Sequence, residues 1–160
     1  MTDLSQWLDR EGVVEHAGAD TERGALGALA EAAARRFGLP AADILDRLVT
    51  REAQGSTGVG HGVAVPHAAL PGLDRMRAVF VRLKTPVAFA AVDDEPVDLL
   101  FGLFAPAGIN DGAPAPEHLR ALAKVSRLLR GREARELLRQ ARSADALYAI
   151  LTQPAAASAA

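Results

Sequence analysis

The segment DLLFGLFA, residues 98–105, decides the fold. From Leu99 onward its side chains form an unbroken apolar run. A short run of this kind is typical of a central strand that is covered on both faces. We therefore expect a strand over residues 98–105, in a sheet that has helices packed against it.

Further strands are predicted on the N-terminal side of this run. Apolar positions alternate along residues 79–83, which indicates a strand with one face more buried than the other. Residues 87–89 indicate a separate short strand, and Val63 and Val65 indicate another, which ends at Pro66. The pattern leaves the order of these strands open.

Helices are predicted where apolar side chains recur at helical spacing between capping residues. Asp20 or Thr21 caps the first long helix, and Gly38 stops it. In the helix after the last strand, Leu119 is placed on the buried face. The predicted helices cover residues 4–8, 22–37, 44–52, 118–129, 132–140 and 143–151.

Helices before and after a group of strands argue for one α/β domain, with α+β as the borderline alternative. The 160 residues are enough for a single domain with one hydrophobic core. The C-terminal segment QPAAASAA, residues 153–160, has low complexity. We expect a domain over residues 1–152, followed by a disordered tail.

The composition excludes several classes of protein. A net charge of −2 and a pI near 6.1 argue against nucleic acid as a partner. Because the chain has no cysteine, disulfides, thiolate nucleophiles and cysteine-based zinc sites are excluded. No apolar run reaches the roughly 20 residues that a membrane span needs, and the first residues do not resemble a signal peptide. We expect a cytoplasmic protein without membrane insertion.

The glycine-rich loop GSTGVGHGVAVPH, residues 55–67, is the main candidate for chemistry. A P-loop needs a Lys and a Ser or Thr after its last glycine, but Gly62 is followed by VAVP. A dinucleotide fingerprint opens a helix after a strand, whereas this loop is predicted to follow a helix and precede a strand. A metal site is disfavoured because no carboxylate lies close in sequence to His61 or His67. We expect neither a metal nor a cofactor.

What remains is a loop that presents His67 as a nucleophile. Pro66 restricts the backbone, so His67 is expected at the end of a stiff strand, and the glycine N–H groups can form an anion-binding concavity. A neutral imidazole can attack phosphorus, and Arg51 and His118 can then donate to the phosphoryl oxygens. The alternatives stay open. In these, His67 is an ordinary loop residue, Arg51 only offsets the partial negative charge at the C-terminal end of its helix, and His118 is a solvated side chain. Ser56 and Thr57 are either nucleophiles or turn-stabilising hydroxyls.

Three segments resemble one protein family: TREAQGSTGVGHGVAVPH (residues 50–67), LKTPVAFAAVDDEPVDLLFGLFAP (residues 83–106) and EHLRALAKVSRLLR (residues 117–130). They are similar to enzyme IIA of the bacterial phosphoenolpyruvate-dependent sugar phosphotransferase system, fructose/mannitol class. Within this class the chain looks most like the nitrogen-regulatory IIA branch. The resemblance implies a mixed, about five-stranded sheet between helices.

The resemblance also implies roles for individual residues. His67 corresponds to the histidine that accepts the phosphoryl group, Arg51 to the active-site arginine, and His118 to the second active-site histidine. The family usually has Gly and then a basic residue after the acceptor histidine, where this chain has Ala68 and Ala69. Loss of the glycine and of the charge is expected to affect loop geometry or carrier docking.

Two functions follow from the resemblance. The first is a phosphotransferase component that accepts phosphate on a histidine from an HPr-like phosphocarrier protein and acts in a sugar-uptake relay or in regulation. Its downstream partner is then a sugar-permease IIB unit or a regulatory target. The alternative is a non-catalytic regulatory binding module, whose partner binding is switched by histidine phosphorylation.

Overall fold

The structure is a computed structural model that describes residues 4–90, 93–107 and 116–153. These residues form one mixed sheet between helices, which confirms the predicted fold class. The strands are β1 (Leu8–Ala17), β2 (Gly58–Gly60), β3 (Val63–Ala64), β4 (His67–Leu70), β5 (Arg77–Val87) and β6 (Val97–Pro106). The helices are α1 (Glu22–Phe37), α2 (Ala41–Ala53), α3 (Pro116–Arg130), α4 (Arg132–Gln140) and α5 (Ala144–Leu151).

Strand β6 is the centre of the sheet, as its apolar run predicts. It pairs antiparallel with β5 on one side and parallel with β3 and β4 on the other. Outside these, β1 pairs parallel with β5 and β2 pairs antiparallel with β3, which gives the order β1-β5-β6-β3-β2. Because β3 and β4 lie end to end along β6, the sheet is five strands across, in agreement with the expected number.

Both faces of β6 are buried, each in a hydrophobic core of its own, so the expectation of one core is wrong. Leu100 and Phe104 belong to the core shared with α1 and α2, whereas Phe101 and Leu103 belong to the core shared with α3, α4 and α5. Gly102 lies directly under α1, since a Cβ there would be 2.9 Å from Cδ2 of Leu29. The glycine of the run therefore allows α1 to pack close to the sheet.

One predicted strand is not a separate element. Strand β5 continues without a break through Val87, which pairs with Val97, so the expectation of a separate strand over residues 87–89 is wrong. The register shifts between Arg82 and Val87, which is the signature of a bulge or similar irregularity. Such a shift interrupts the alternation of apolar positions, and this is why the sequence suggests two strands.

Two expectations about helical residues also need correction. Only Leu4–Gln6 form a short 3-10 helix at the N-terminus, because Leu8 already begins β1. Leu119 is 53% exposed, because the buried face of α3 follows a different stripe of residues. That stripe consists of His118, Ala121, Val125 and Leu129.

The helices of the described residues are all too short or too polar to cross a membrane. Of the predicted tail, residues 154–160 lie outside the described residues, and the domain boundary at residue 152 stays a prediction. The first long helix begins as expected, because the Thr21 hydroxyl accepts the Gly24 N–H at 3.0 Å.

Candidate functional site

His67 lies at a break in the strand that runs beside β6. Strand β3 ends at Ala64, and pairing resumes at His67, the first residue of β4, which is opposite Leu103. Pro66 has no N–H to donate, but its carbonyl accepts the Leu103 N–H at 3.0 Å. The backbone between β3 and β4 therefore stays hydrogen-bonded to β6. His67 therefore stands at the beginning of a strand and not, as the sequence predicts, at the end of one.

Two hydrogen bonds fix the His67 ring. Nδ1 lies 3.0 Å from the Val65 carbonyl oxygen, and because a carbonyl only accepts, Nδ1 carries the proton. Nε2 then keeps its lone pair and accepts the Arg51 Nε–H at 3.1 Å. Arg51 is itself held by its Nη1, which donates to the Gly55 carbonyl at 2.8 Å. Arg51 and His67, which the resemblance places in one site, are thus in direct contact.

His118 completes the group of predicted site residues. It lies in the first turn of α3, is only 7% exposed, and packs edge-on against His67 with ring centroids 5.3 Å apart at an angle of 68°. The preceding residue, Glu117, accepts the indole N–H of Trp7 at 2.8 Å. This bond ties the first turn of α3 to the N-terminal segment, and so helps to place His118 beside His67.

Both histidines of the site have depressed pKa values. Burial lowers the pKa of His67 below 6.5 and the Arg51 charge lowers it further, while the Val65 hydrogen bond and the Glu52 charge act in the opposite direction. Burial and the neighbouring His67 lower the pKa of His118 to about 4. Both rings are therefore neutral at physiological pH, so Nε2 of His67 carries no proton and keeps the lone pair that accepts the Arg51 Nε–H.

We expect an NMR titration of the imidazole resonances to show His118 titrating near pH 4, since its pKa is lowered to about that value, and His67 titrating below pH 6.5. The folded state resists protonation of these rings more than the unfolded chain does. Their contribution to folding stability is therefore complete above about pH 6.5 and is lost as the pH falls toward about 4. A His118 resonance that titrates at or above pH 6.5 would contradict its burial.

The glycine-rich loop uses several of its amides inside the protein, so the expected anion-binding concavity stays a prediction for the amides that remain. His61 and Gly62, with φ of 58° and 80°, form the tight turn between β2 and β3. Four loop amides already donate to acceptors inside the protein, so they are not free for a phosphate. These are the N–H groups of Thr57 (to Glu52), Gly58 (to the Ser56 hydroxyl), His61 (to Asp93) and Val65 (to the Thr57 carbonyl).

Ala68, where the family usually has Gly, fits the backbone without strain. It lies in β4 opposite Phe104. Among the described non-glycine residues only His61 and Asp94 have positive φ, so position 68 does not need a glycine. Ala68 thus adopts its conformation without strain, and the expected effect of Ala68 and Ala69 on loop geometry or carrier docking stays a prediction.

Glu52 is a site residue that the sequence analysis missed. Its Oε1 accepts the Thr57 hydroxyl at 2.6 Å and its Oε2 accepts the Thr57 N–H at 2.8 Å, so the loop after α2 is fastened to the helix end that carries Arg51. Its place next to Arg51 was the only signal in the sequence. Within residues 4–90, 93–107 and 116–153, no three His, Asp or Glu side chains come together as metal ligands.

Comparison with known proteins identifies relatives of the chain. Residues 6–153 match the family described as phosphoenolpyruvate-dependent sugar phosphotransferase system, EIIA 2. A nitrogen regulatory protein of Bradyrhizobium diazoefficiens is 41% identical over 140 residues, 88% of each chain. The structure of the nitrogen regulatory protein IIA-Ntr of Neisseria meningitidis is 32% identical with a TM-score of 0.82, over 92% of this chain and 98% of that one. Escherichia coli IIA mannitol, solved in complex with phosphorylated IIB mannitol, shares the fold at 21% identity and a TM-score of 0.70, over 88% of this chain and 94% of that one.

Proposed function

The chain belongs to the EIIA 2 family of the phosphoenolpyruvate-dependent sugar phosphotransferase system, and we propose that within it His67 accepts a phosphoryl group and passes it on. The observation that carries this proposal is the pair of hydrogen bonds on the His67 ring. The Val65 carbonyl holds the proton on Nδ1, and the Nε2 lone pair faces the guanidinium of Arg51. The reacting nitrogen is therefore Nε2.

The transfer step is a displacement at phosphorus. The donor is the phosphohistidine of an HPr-like phosphocarrier protein, and the Nε2 lone pair of His67 forms the new P–N bond. The P–N bond of the donor breaks, and its electron pair returns to the donor ring. Nδ1 of His67 keeps its proton and donates it in the hydrogen bond to the Val65 carbonyl oxygen, 3.0 Å from Nδ1. Because Nδ1 stays protonated, the ring can leave as neutral imidazole in the next transfer.

Arg51 and His118 stabilise the phosphoryl group after transfer. When Nε2 becomes bonded to phosphorus, the Arg51 Nε–H that it accepted is released and can donate to a phosphoryl oxygen. The buried His118 ring, 5.3 Å from the His67 ring, is neutral because its pKa is about 4, and it offers one N–H donor on the other side. The Arg51 cation and the neutral His118 ring thus give the phosphoryl oxygens the hydrogen bonds that water would otherwise supply, because burial of the site excludes water.

The partners follow from the same chemistry. The donor is an HPr-like phosphocarrier in the cytoplasm, and the acceptor is a IIB unit or a regulatory protein. The solved complex of Escherichia coli IIA mannitol with phosphorylated IIB supports a IIB unit as the type of acceptor for this fold. The net charge of −2 argues against nucleic acid as a partner.

Incubation with a phosphorylated HPr-type carrier tests the proposal. We expect the protein to gain the mass of one phosphoryl group, labile in acid and stable in base, and phosphorus–nitrogen coupling in NMR to place it on Nε2. A matched reaction with unphosphorylated carrier should give no label. No uptake from a carrier that phosphorylates a second IIA protein would contradict the proposal.

A regulatory binding module is the second candidate, favoured by the 41% identity to a nitrogen regulatory protein. Phosphorylation adds about two negative charges at His67 and can switch an interface. We expect partner capture with phosphorylated and unphosphorylated protein to retain at least one partner, besides donor and acceptor, in only one of the two forms. Capture of the same partners by both forms would contradict the regulatory module, and phosphoryl transfer would remain as the function.

A further inference from the structure

The segments that carry Arg51 and His67 are joined by a closed ring of hydrogen bonds. Arg51 donates to His67 at 3.1 Å, and the His67 ring donates to the Val65 carbonyl at 3.0 Å. The Val65 N–H donates to the Thr57 carbonyl at 2.9 Å, and Thr57 donates twice to Glu52, the neighbour of Arg51. Each member of the ring therefore fixes the position of the next.

Glu52 is the member of this ring that connects the end of α2 to Thr57, in the loop before β2. Its carboxylate accepts both the N–H and the O–H of Thr57, so it fixes the backbone and the side chain of that residue at once. Thr57 is only 5% exposed, so water does not readily replace the carboxylate as its partner. Without Glu52 the loop after α2 keeps the bond from Arg51 to the Gly55 carbonyl but loses the two bonds that fix Thr57.

We propose that Glu52 is a positioning residue, which acts through Thr57 and Val65 to hold the His67 ring in line with Arg51. This inference rests on the proposed function, since it assigns Glu52 a part in phosphoryl transfer. Geometry and not charge carries the role. Glu52 does not touch the Nε2 lone pair, and its negative charge opposes the arrival of a phosphate.

Four variants separate geometry from charge. Glu52→Gln keeps an acceptor for the Thr57 N–H and a polar partner for its hydroxyl but removes the charge, while Glu52→Ala removes both. Thr57→Ser keeps the hydroxyl, and Thr57→Val removes it at nearly the same volume. Glu31→Ala, at an exposed glutamate of α1, is the matched control for the loss of a helical carboxylate.

We expect Glu52→Ala and Thr57→Val to lower the maximal single-turnover rate of phosphoryl uptake about 10- to 100-fold, because misplacement of the reacting groups costs rate. The carrier concentration for half-maximal rate should stay within about twofold, since the docking surface is unchanged. Glu52→Gln, Thr57→Ser and Glu31→Ala should stay within about threefold of the wild-type rate. If Glu52→Gln is as slow as Glu52→Ala, the charge and not the geometry is responsible, and the proposal fails.

Imidazole nitrogen NMR tests the ring independently of any carrier. The wild type should show the Nδ1–H tautomer of His67, and Glu52→Ala and Thr57→Val should show a mixture of tautomers. If the wild type takes up no phosphate but the two variants show this tautomer shift, the proposed function is refuted and the positioning of the His67 ring by Glu52 is retained. Unchanged tautomer and rate in both folded variants, as judged by thermal melting, would refute the positioning role. If Glu52→Ala does not fold, the rate and the tautomer of Thr57→Val decide whether the positioning role holds.

Discussion

Replacing His67 with alanine is expected to abolish phosphoryl uptake, with a loss of at least about a thousandfold in single-turnover rate. The variant has no other ring nitrogen whose lone pair is presented to Arg51. His118 is also neutral, because its pKa is lowered to about 4, but it packs edge-on against His67, and the nitrogen that accepts from Arg51 is Nε2 of His67. Intact-mass measurement after incubation with phosphorylated carrier checks the result.

Two further histidine variants serve as controls for this experiment. His61→Ala removes a histidine of the same loop whose backbone N–H donates to Asp93, and it should take up phosphate at nearly the wild-type rate. His118→Ala should still be labelled, but about 10- to 100-fold more slowly, because one donor to the phosphoryl group is lost. Label in His67→Ala, or label that maps to His118 in the wild type, would contradict the assignment.

The centre of the fold is predictable because its information is local. The apolar run in residues 98–105 encodes burial on both faces, and β6 lies in the middle of the sheet as expected. The extent of β5 is not encoded in this way. The register shift between Arg82 and Val87 depends on the pairing with β6, which no single segment specifies. The prediction for Leu119 is wrong because apolar character alone favours the buried face, whereas the polar His118 occupies that face of α3.

The resemblance supplies the residues of the candidate site, whose roles stay a prediction, but it does not supply their arrangement. The motif predicts His67, Arg51 and His118 as members of one site, and the structure places them in contact. Which nitrogen of His67 carries the proton depends on the carbonyl of Val65, two residues away, and therefore on the backbone turn at Pro66. A backbone acceptor leaves no signature in the side-chain sequence.

The glycines of the loop illustrate the same limit. Their flexibility suggests a cradle for an anion, but the neighbouring amides are used by Glu52, Asp93, Ser56 and Thr57. Gly62 has φ of 80°, and a Cβ there would crowd Nη2 of Arg139, which donates to the His61 carbonyl. Glycine is thus favoured here by the backbone conformation of the turn and by the Arg139 side chain that packs on it. Composition alone does not distinguish a turn from a phosphate cradle.

Replacing Arg51 with methionine is expected to slow phosphoryl uptake about 100- to 1,000-fold, because a charged donor to the transferred group is lost. Arg51→Lys should be intermediate. A lysine carries the charge but presents a single ammonium, whereas Arg51 donates from Nε to His67 and from Nη1 to the Gly55 carbonyl at once. Single-turnover rates over a range of phosphorylated carrier concentrations check this order.

Arg47→Met is the matched control for this series, because it removes a cation one turn earlier in α2. Arg47 donates to the Ala69 carbonyl at 3.1 Å and does not touch the ring of His67, so only a small effect is expected, through carrier docking. A second readout is the pKa of His67, which burial and the Arg51 charge both lower, so Arg51→Met should raise it toward 6.5 while Arg51→Lys should not. A rate for Arg51→Met within about threefold of the wild type would show that the guanidinium is not the donor that stabilises the phosphoryl group. An equal loss in Arg47→Met would attribute the effect to the loss of any cation from α2 and not to the contact with Nε2.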